Sequence, residues 1–103
     1  MKPREIIKQL AQDAWERIGA TSDLMEQIYR EGLHSGLRQA ETLPPAVLRR
    51  LRDEARLEAT RQMLVNRNPW NRVYYDGLGD AYDTARDIRI ATLNALRRYS
   101  APN

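Results

Sequence analysis

Pro69–Tyr99 reads PWNRVYYDGLGDAYDTARDIRIATLNALRRY, and how this stretch is read decides the fold. Trp70, Tyr74, Gly77, Ala81, Ala85, Ile88, Ala95 and Tyr99 recur at helical spacing in one unbroken phase, with Thr92 the one position of the series that is neither apolar nor glycine. A break at Gly77 or Gly79 would disturb that phase, so one helix is expected over 69–99. At 1.5 Å per residue it spans about 46 Å, whereas a compact chain of about 100 residues has a radius of gyration near 13 Å. The helix should therefore project, kink or meet a second subunit.

Working back from Pro69, Asn66-Arg67-Asn68-Pro69 forms a turn with Asn68 as N-cap and a first-turn proline. Before it a helix is expected over 45–66, entered from Leu43-Pro44-Pro45, because a residue preceding proline avoids the helical region. Leu48, Leu51, Ala55, Ala59 and Met63 make its core stripe. Leu57 and Leu64 lie on its opposite side, which predicts a helix sandwiched between neighbours in preference to one that shows its second side to a partner. A helix over 22–40 starts at Ser22 or Asp23, with Asp23 and Glu26 at capping-box spacing. Its face carries Met25, Ile28, Tyr29, Gly32, Leu33, Gly36 and Ala40. The first helix, 3–18, opens at Pro3, buries Ile7, Leu10, Ala11, Ala14 and Ile18 with Trp15 at the margin, and ends at Gly19. The expected fold is all-α: a single domain over 1–103, a four-helix bundle-like arrangement with a long C-terminal helix.

Glycine in mid-helix costs about 1 kcal/mol relative to alanine, so at Gly32 and Gly36 either another backbone packs closely or the helix ends there. Gly77, Ala81 and Ala85 repeat the spacing of Gly32, Gly36 and Ala40, and the two small-residue stripes are expected to pack at short interaxial distance.

Of the 103 residues, 42% are apolar and 30% charged, enough to fold. Cysteine is absent, which removes disulfides, thiolate metal sites and cysteine nucleophiles and favours the cytoplasm. There is no signal-type segment at the start and no apolar run of about 20 residues, so no membrane role is expected. The single histidine, His34, reads as a surface or satisfied polar residue and not as a base or ligand. Ser22, Ser35 and Ser100 form no nucleophile–base set, and Gly77-Leu78-Gly79 is no phosphate loop. The chain is read as non-enzymatic, with no cofactor, no metal and no small-molecule substrate.

Two charged patterns remain. Asp76, Asp80, Asp83 and Asp87 share one face of the last helix at i, i+4, i+7 and i+11. Neighbouring like charges there repel, so the row is a solvated face, a docking strip for arginines of this chain or another protein, or a hard-cation site. The basic pattern is Arg49, Arg52 and Arg56 on one side of the third helix, with Arg67 and Arg72 bracketing the turn and Tyr75 nearby as a contact residue. Arg49 with Asp53 and Arg50 with Glu54 stand at ion-pair spacing. Residues 1–43 carry six basic and seven acidic side chains, 44–75 seven and three, and 76–103 four and four, for a net charge of +3. Fifteen of the 17 basic residues are arginine, which a GC-rich coding genome or recognition of phosphate and carboxylate would each explain.

These features lead to a protein–protein interaction module with a protein partner, one that suits a regulatory or inhibitory accessory protein of a phage or mobile element acting on a host protein. The long helix and the second apolar side of 45–66 favour a homodimer. The alternative is a nucleic-acid-binding regulator, because Asn68-Pro69-Trp70-Asn71-Arg72 after an Arg-rich helix resembles the outline of a helix-turn-helix. The Asp row on the same helix opposes it by repelling phosphates.

Overall fold

The computed structural model describes residues 2–100. The described residues contain four helices: α1 Pro3–Ile18, α2 Leu24–Ala40, α3 Pro45–Leu64 and α4 Pro69–Ser100. Each boundary has a local cause. Glu5 reaches back to the Lys2 backbone N–H (3.4 Å) at the start of α1. Asp23 caps α2 by accepting from the backbone N–H groups of Met25 and Glu26 at 2.9 and 3.3 Å. The expected capping box is not completed, because the Glu26 carboxylate accepts instead from the Thr21 hydroxyl (3.0 Å). With Asp23 as the cap, α2 begins at Leu24, not at residue 22. Gly19 ends α1 with a right-handed φ of −76°, so its freedom to adopt positive φ is not used.

Between α3 and α4 the chain turns tightly. Arg67 takes a φ of +49°, the left-handed region that disfavours a side chain with Cβ. The turn is held by Gln62, which is buried. Its backbone carbonyl accepts from the Asn68 N–H at 2.8 Å, and its side-chain oxygen accepts from the Asn66 amide at 3.2 Å. Asn68 caps α4 through the Asn71 N–H at 3.1 Å, as its sequence position predicts. This network ends α3 at Leu64, two residues before the expected Asn66.

α4 runs unbroken for 32 residues, about 48 Å, through both Gly77 and Gly79. All three other helices pack on it, and α1 also packs on α2. Gly32 lies against Tyr74 and Leu78, and Gly36 against Leu78 and Ala81, so α2 and α4 run parallel. Arg52 meets Asp83 and Arg56 meets Asp80, so α3 runs antiparallel to α4. The chain thus goes up, down, up, down. Leu93 and Leu96 of α4 still border Pro3, Thr42, Pro44 and Pro45, and only past them does α4 project from the bundle. Extents of 55 × 30 × 18 Å and a radius of gyration of 15.4 Å reflect that projection.

The predicted close approach of the small-residue stripes is present. A Cβ on Gly32 would collide with the Tyr74 carbonyl, and one on Gly77 would collide with the Tyr29 carbonyl and stand 2.9 Å from the Leu33 nitrogen. A Cβ on Gly36 would lie 2.6 Å from that of Ala81. Here two helix backbones touch, and only glycine permits it. Around this seam Ile7, Ala11, Leu37, Ala40, Leu48, Ala55, Leu78, Ala81, Tyr82 and Ala85 form the core.

Three expectations for the core fail. α3 is not sandwiched: it packs on α4 along one side, and Leu57 (72% exposed) and Leu64 (66%) face outward. Met63 is exposed, because the register turns Gln62 inward at the end of α3 and leaves Met63 on the flank. Trp70 keeps the helical phase but sits in the first turn of α4, beside the end of α3, where no helix covers it; it is 43% exposed.

Candidate interaction surface

The acidic row and the basic row, separate along the sequence, meet each other in the fold. The antiparallel register brings Arg52 to Asp83 at 3.0 Å and Arg56 to Asp80 at 2.6 Å. The Arg56 guanidinium lies flat across α4 where Gly79 has no side chain; a Cβ there would stand 3.0–3.2 Å from its atoms. Asp80 also accepts from the Tyr29 hydroxyl of α2 at 2.5 Å. One carboxylate therefore ties α2, α3 and α4 together across the outer side of α4. Burial, followed by the hydrogen bond to Asp80 and the charge of Asp80, pushes the Tyr29 hydroxyl up to about 12. Hydrogen bonds to Asp83 and then Asp53 push the Arg52 guanidinium further up, holding it charged.

The rest of both rows divides. Asp76 is paired with Arg72 one turn earlier (3.7 Å). Asp87 is exposed and has no ion pair among the described residues. On α3, Arg50 reaches Glu54 at 3.9 Å, as its spacing predicts, but Asp53 is taken by Arg52 and not by Arg49. Arg49 and Arg67 are exposed and carry no ion pair among the described residues. Tyr75 is half-buried, edge-on to Tyr74 with ring centroids 5.8 Å apart. It lines a groove of about 300 Å³ between α3 and α4 with Leu51, Glu54, Glu58 and Tyr82. Its ring is thus less available than its off-phase position implies.

Tyr29 and Gly79 matter to this arrangement, and nothing in the sequence singles them out for it. Periodicity puts Tyr29 on the apolar face of α2, and only the register with α4 places its hydroxyl on Asp80. His34 is accounted for locally. Its Nδ1 donates to the Ala11 carbonyl at 2.9 Å, and Trp15 lies beside its ring at 5.0 Å. Among the described residues no group of three or more His, Asp or Glu could hold a metal ion, and no helix is long and apolar enough to cross a membrane.

Large apolar side chains are exposed at Trp15 of α1, at Leu24 of α2, at Leu93 and Leu96 of α4, and most densely on the outer side of α3 and the turn after it. Leu57, Leu64, Val65 and Trp70 are exposed there, with Arg61, Arg67 and Arg72 interspersed. Trp70 and the arginines are of the types enriched at interface hot spots, and Leu57, Leu64 and Val65 add uncovered apolar area beside them. No family model matches the chain, and no curated protein or solved structure does so either.

Proposed function

We propose that this protein is a non-enzymatic protein–protein interaction module that works through the outer side of α3 and the α3–α4 turn. The observation that carries the reading is the uncovered row Leu57–Leu64, continued by Val65 and Trp70, on a helix that packs through its other side against α4. Leucines 66–72% exposed have no role in the fold of the single chain. The pairing of Asp80 and Asp83 with Arg56 and Arg52 favours this apolar surface over the acidic row as the contact region. It also weakens the nucleic-acid alternative, because three of the five arginines proposed for phosphate contact, Arg52, Arg56 and Arg72, are paired with carboxylates of the same chain. Absence of cysteine supports a reducing, cytoplasmic setting. The arginine-rich composition suits an accessory protein of a phage or mobile element that regulates or inhibits a host protein.

The test is capture of partners from bacterial lysate by the wild type and by L57D/L64D, each with and without nuclease. The reading expects protein recovered stoichiometrically in both nuclease arms and lost with L57D/L64D. Recovery of nucleic acid, with capture abolished by nuclease and indifferent to L57D/L64D, would sink it in favour of the arginine-based alternative.

A further inference from the structure

The outer face of α3 is complementary to itself. Arg50, Glu54, Leu57, Arg61 and Leu64 follow one another at i, i+4, i+7, i+11 and i+14. Glu54 and Arg61 lie on the same flank of the leucine row, one on each side of Leu57. When two identical helices pair antiparallel, equal flanks face each other. A two-fold axis beside Leu57 therefore sets Glu54 opposite Arg61 of the second copy, twice by symmetry, with leucine on leucine at the axis. The same axis lays the aliphatic stem of Arg50 over the second copy's Leu64, a common way to cover apolar surface with a charged side chain. Within one chain these charges are poorly used: Arg50–Glu54 is 3.9 Å and Arg61–Glu58 is 3.8 Å, and Arg50, Glu54 and Arg61 are about two-thirds exposed.

We infer that α3 pairs antiparallel with α3 of a second copy, through Leu57 and Leu64 and reciprocal Glu54–Arg61 ion pairs. This rests on the interaction-module reading and names the partner of the leucine row. An isologous patch of this kind closes on itself as a dimer without forming filaments. Arg67 and Trp70 lie about ten residues from the axis, so the dimer keeps both turns open at its two ends.

Sedimentation of the full chain from 5 to 500 µM tests the inference, with E54R, R61E, E54R/R61E and L57D/L64D beside the wild type. The wild type should dimerise. Each single reversal sets like charges opposite each other twice and should weaken the dimer by roughly tenfold. The double reversal restores Glu54–Arg61 complementarity across the axis and should return affinity to within about twofold of wild type. Effects confined to one helix predict the opposite, since E54R/R61E puts Arg beside Arg50 and Glu beside Glu58. All substituted positions are solvent-facing, and circular dichroism should stay helical throughout.

A wild type monomeric at 500 µM overturns the inference. A dimer that survives L57D/L64D has its contact elsewhere and overturns it too. Single reversals that weaken the dimer without rescue by the double refute the antiparallel register. If the wild type is monomeric while L57D/L64D still abolishes capture of another protein, the second copy is wrong and the module reading stands. If L57D/L64D changes neither property, both fall.

Discussion

Asp80 accepts a hydrogen bond from a neutral tyrosine of α2 and one from a guanidinium of α3. Removing the carboxylate leaves both donors without their acceptor. D80A should cost about 1 kcal/mol in urea unfolding, the value for a charged hydrogen bond discounted for its partial exposure. The tyrosine adds a pH signature. Its ionisation is raised in the folded state to about 12 from the ordinary 10. A raised group stabilises the fold below its unfolded value and loses that contribution as pH climbs through the folded one. Stability should therefore fall between about pH 10 and 12, and Y29F should flatten that part of the curve in pH-dependent thermal melts. None of this is legible from residue types. Four aspartates on one face ask for compensation and three arginines on another can supply it, but only the register of α3 on α4 decides that Asp80 and Asp83 receive it and Asp87 does not.

Helix boundaries, by contrast, are written locally. Pro3, Pro45 and Pro69 open three helices and Asp23 caps the fourth, so the predicted limits stand within two residues of those observed. The α2–α4 seam is legible too, because Gly32, Gly36, Gly77 and Ala81 have no other reason to share a spacing on helix faces. Its tightness gives the sharpest expectation at this scale. G32A or G77A drives a methyl into the facing backbone and should destabilise by about 1–3 kcal/mol or more, measured by chemical denaturation. G79A meets only the Arg56 guanidinium, a movable group, and should cost less than either. Which side of α3 is covered is not readable in advance. Leu48, Ala55 and Met63 on one side and Leu57 and Leu64 on the other give it two apolar stripes, and a helix with a single neighbour buries one. Trp70 and Met63 illustrate the same limit: periodicity assigns a face, but it does not say where along that face the neighbouring helix stops.

For the whole molecule, charge is spread very differently in the fold than along the chain. The basic excess of residues 44–75 is drawn partly into contact with the acidic row, so the net +3 overstates what a polyanion would meet. D53N/D80N/D83N should release Arg52 and Arg56 and add three units of net charge. Fluorescence anisotropy with a DNA duplex at low salt should then show tighter binding than the wild type, with a salt slope steeper by about 2. An unchanged slope would mean that the arginines stay folded onto α4 without their carboxylates.

Because α4 is the helix on which the other three assemble, and it is made after all of them, the order of synthesis runs against the order of assembly. α1 and α2 can pair as they emerge, yet α3 has no surface to lie on until the ribosome has delivered residues up to about Thr92. During translation α3 therefore waits with its inner and outer leucines both bare, and the nascent chain is most vulnerable to chaperones, proteases and its own neighbours until α4 is made.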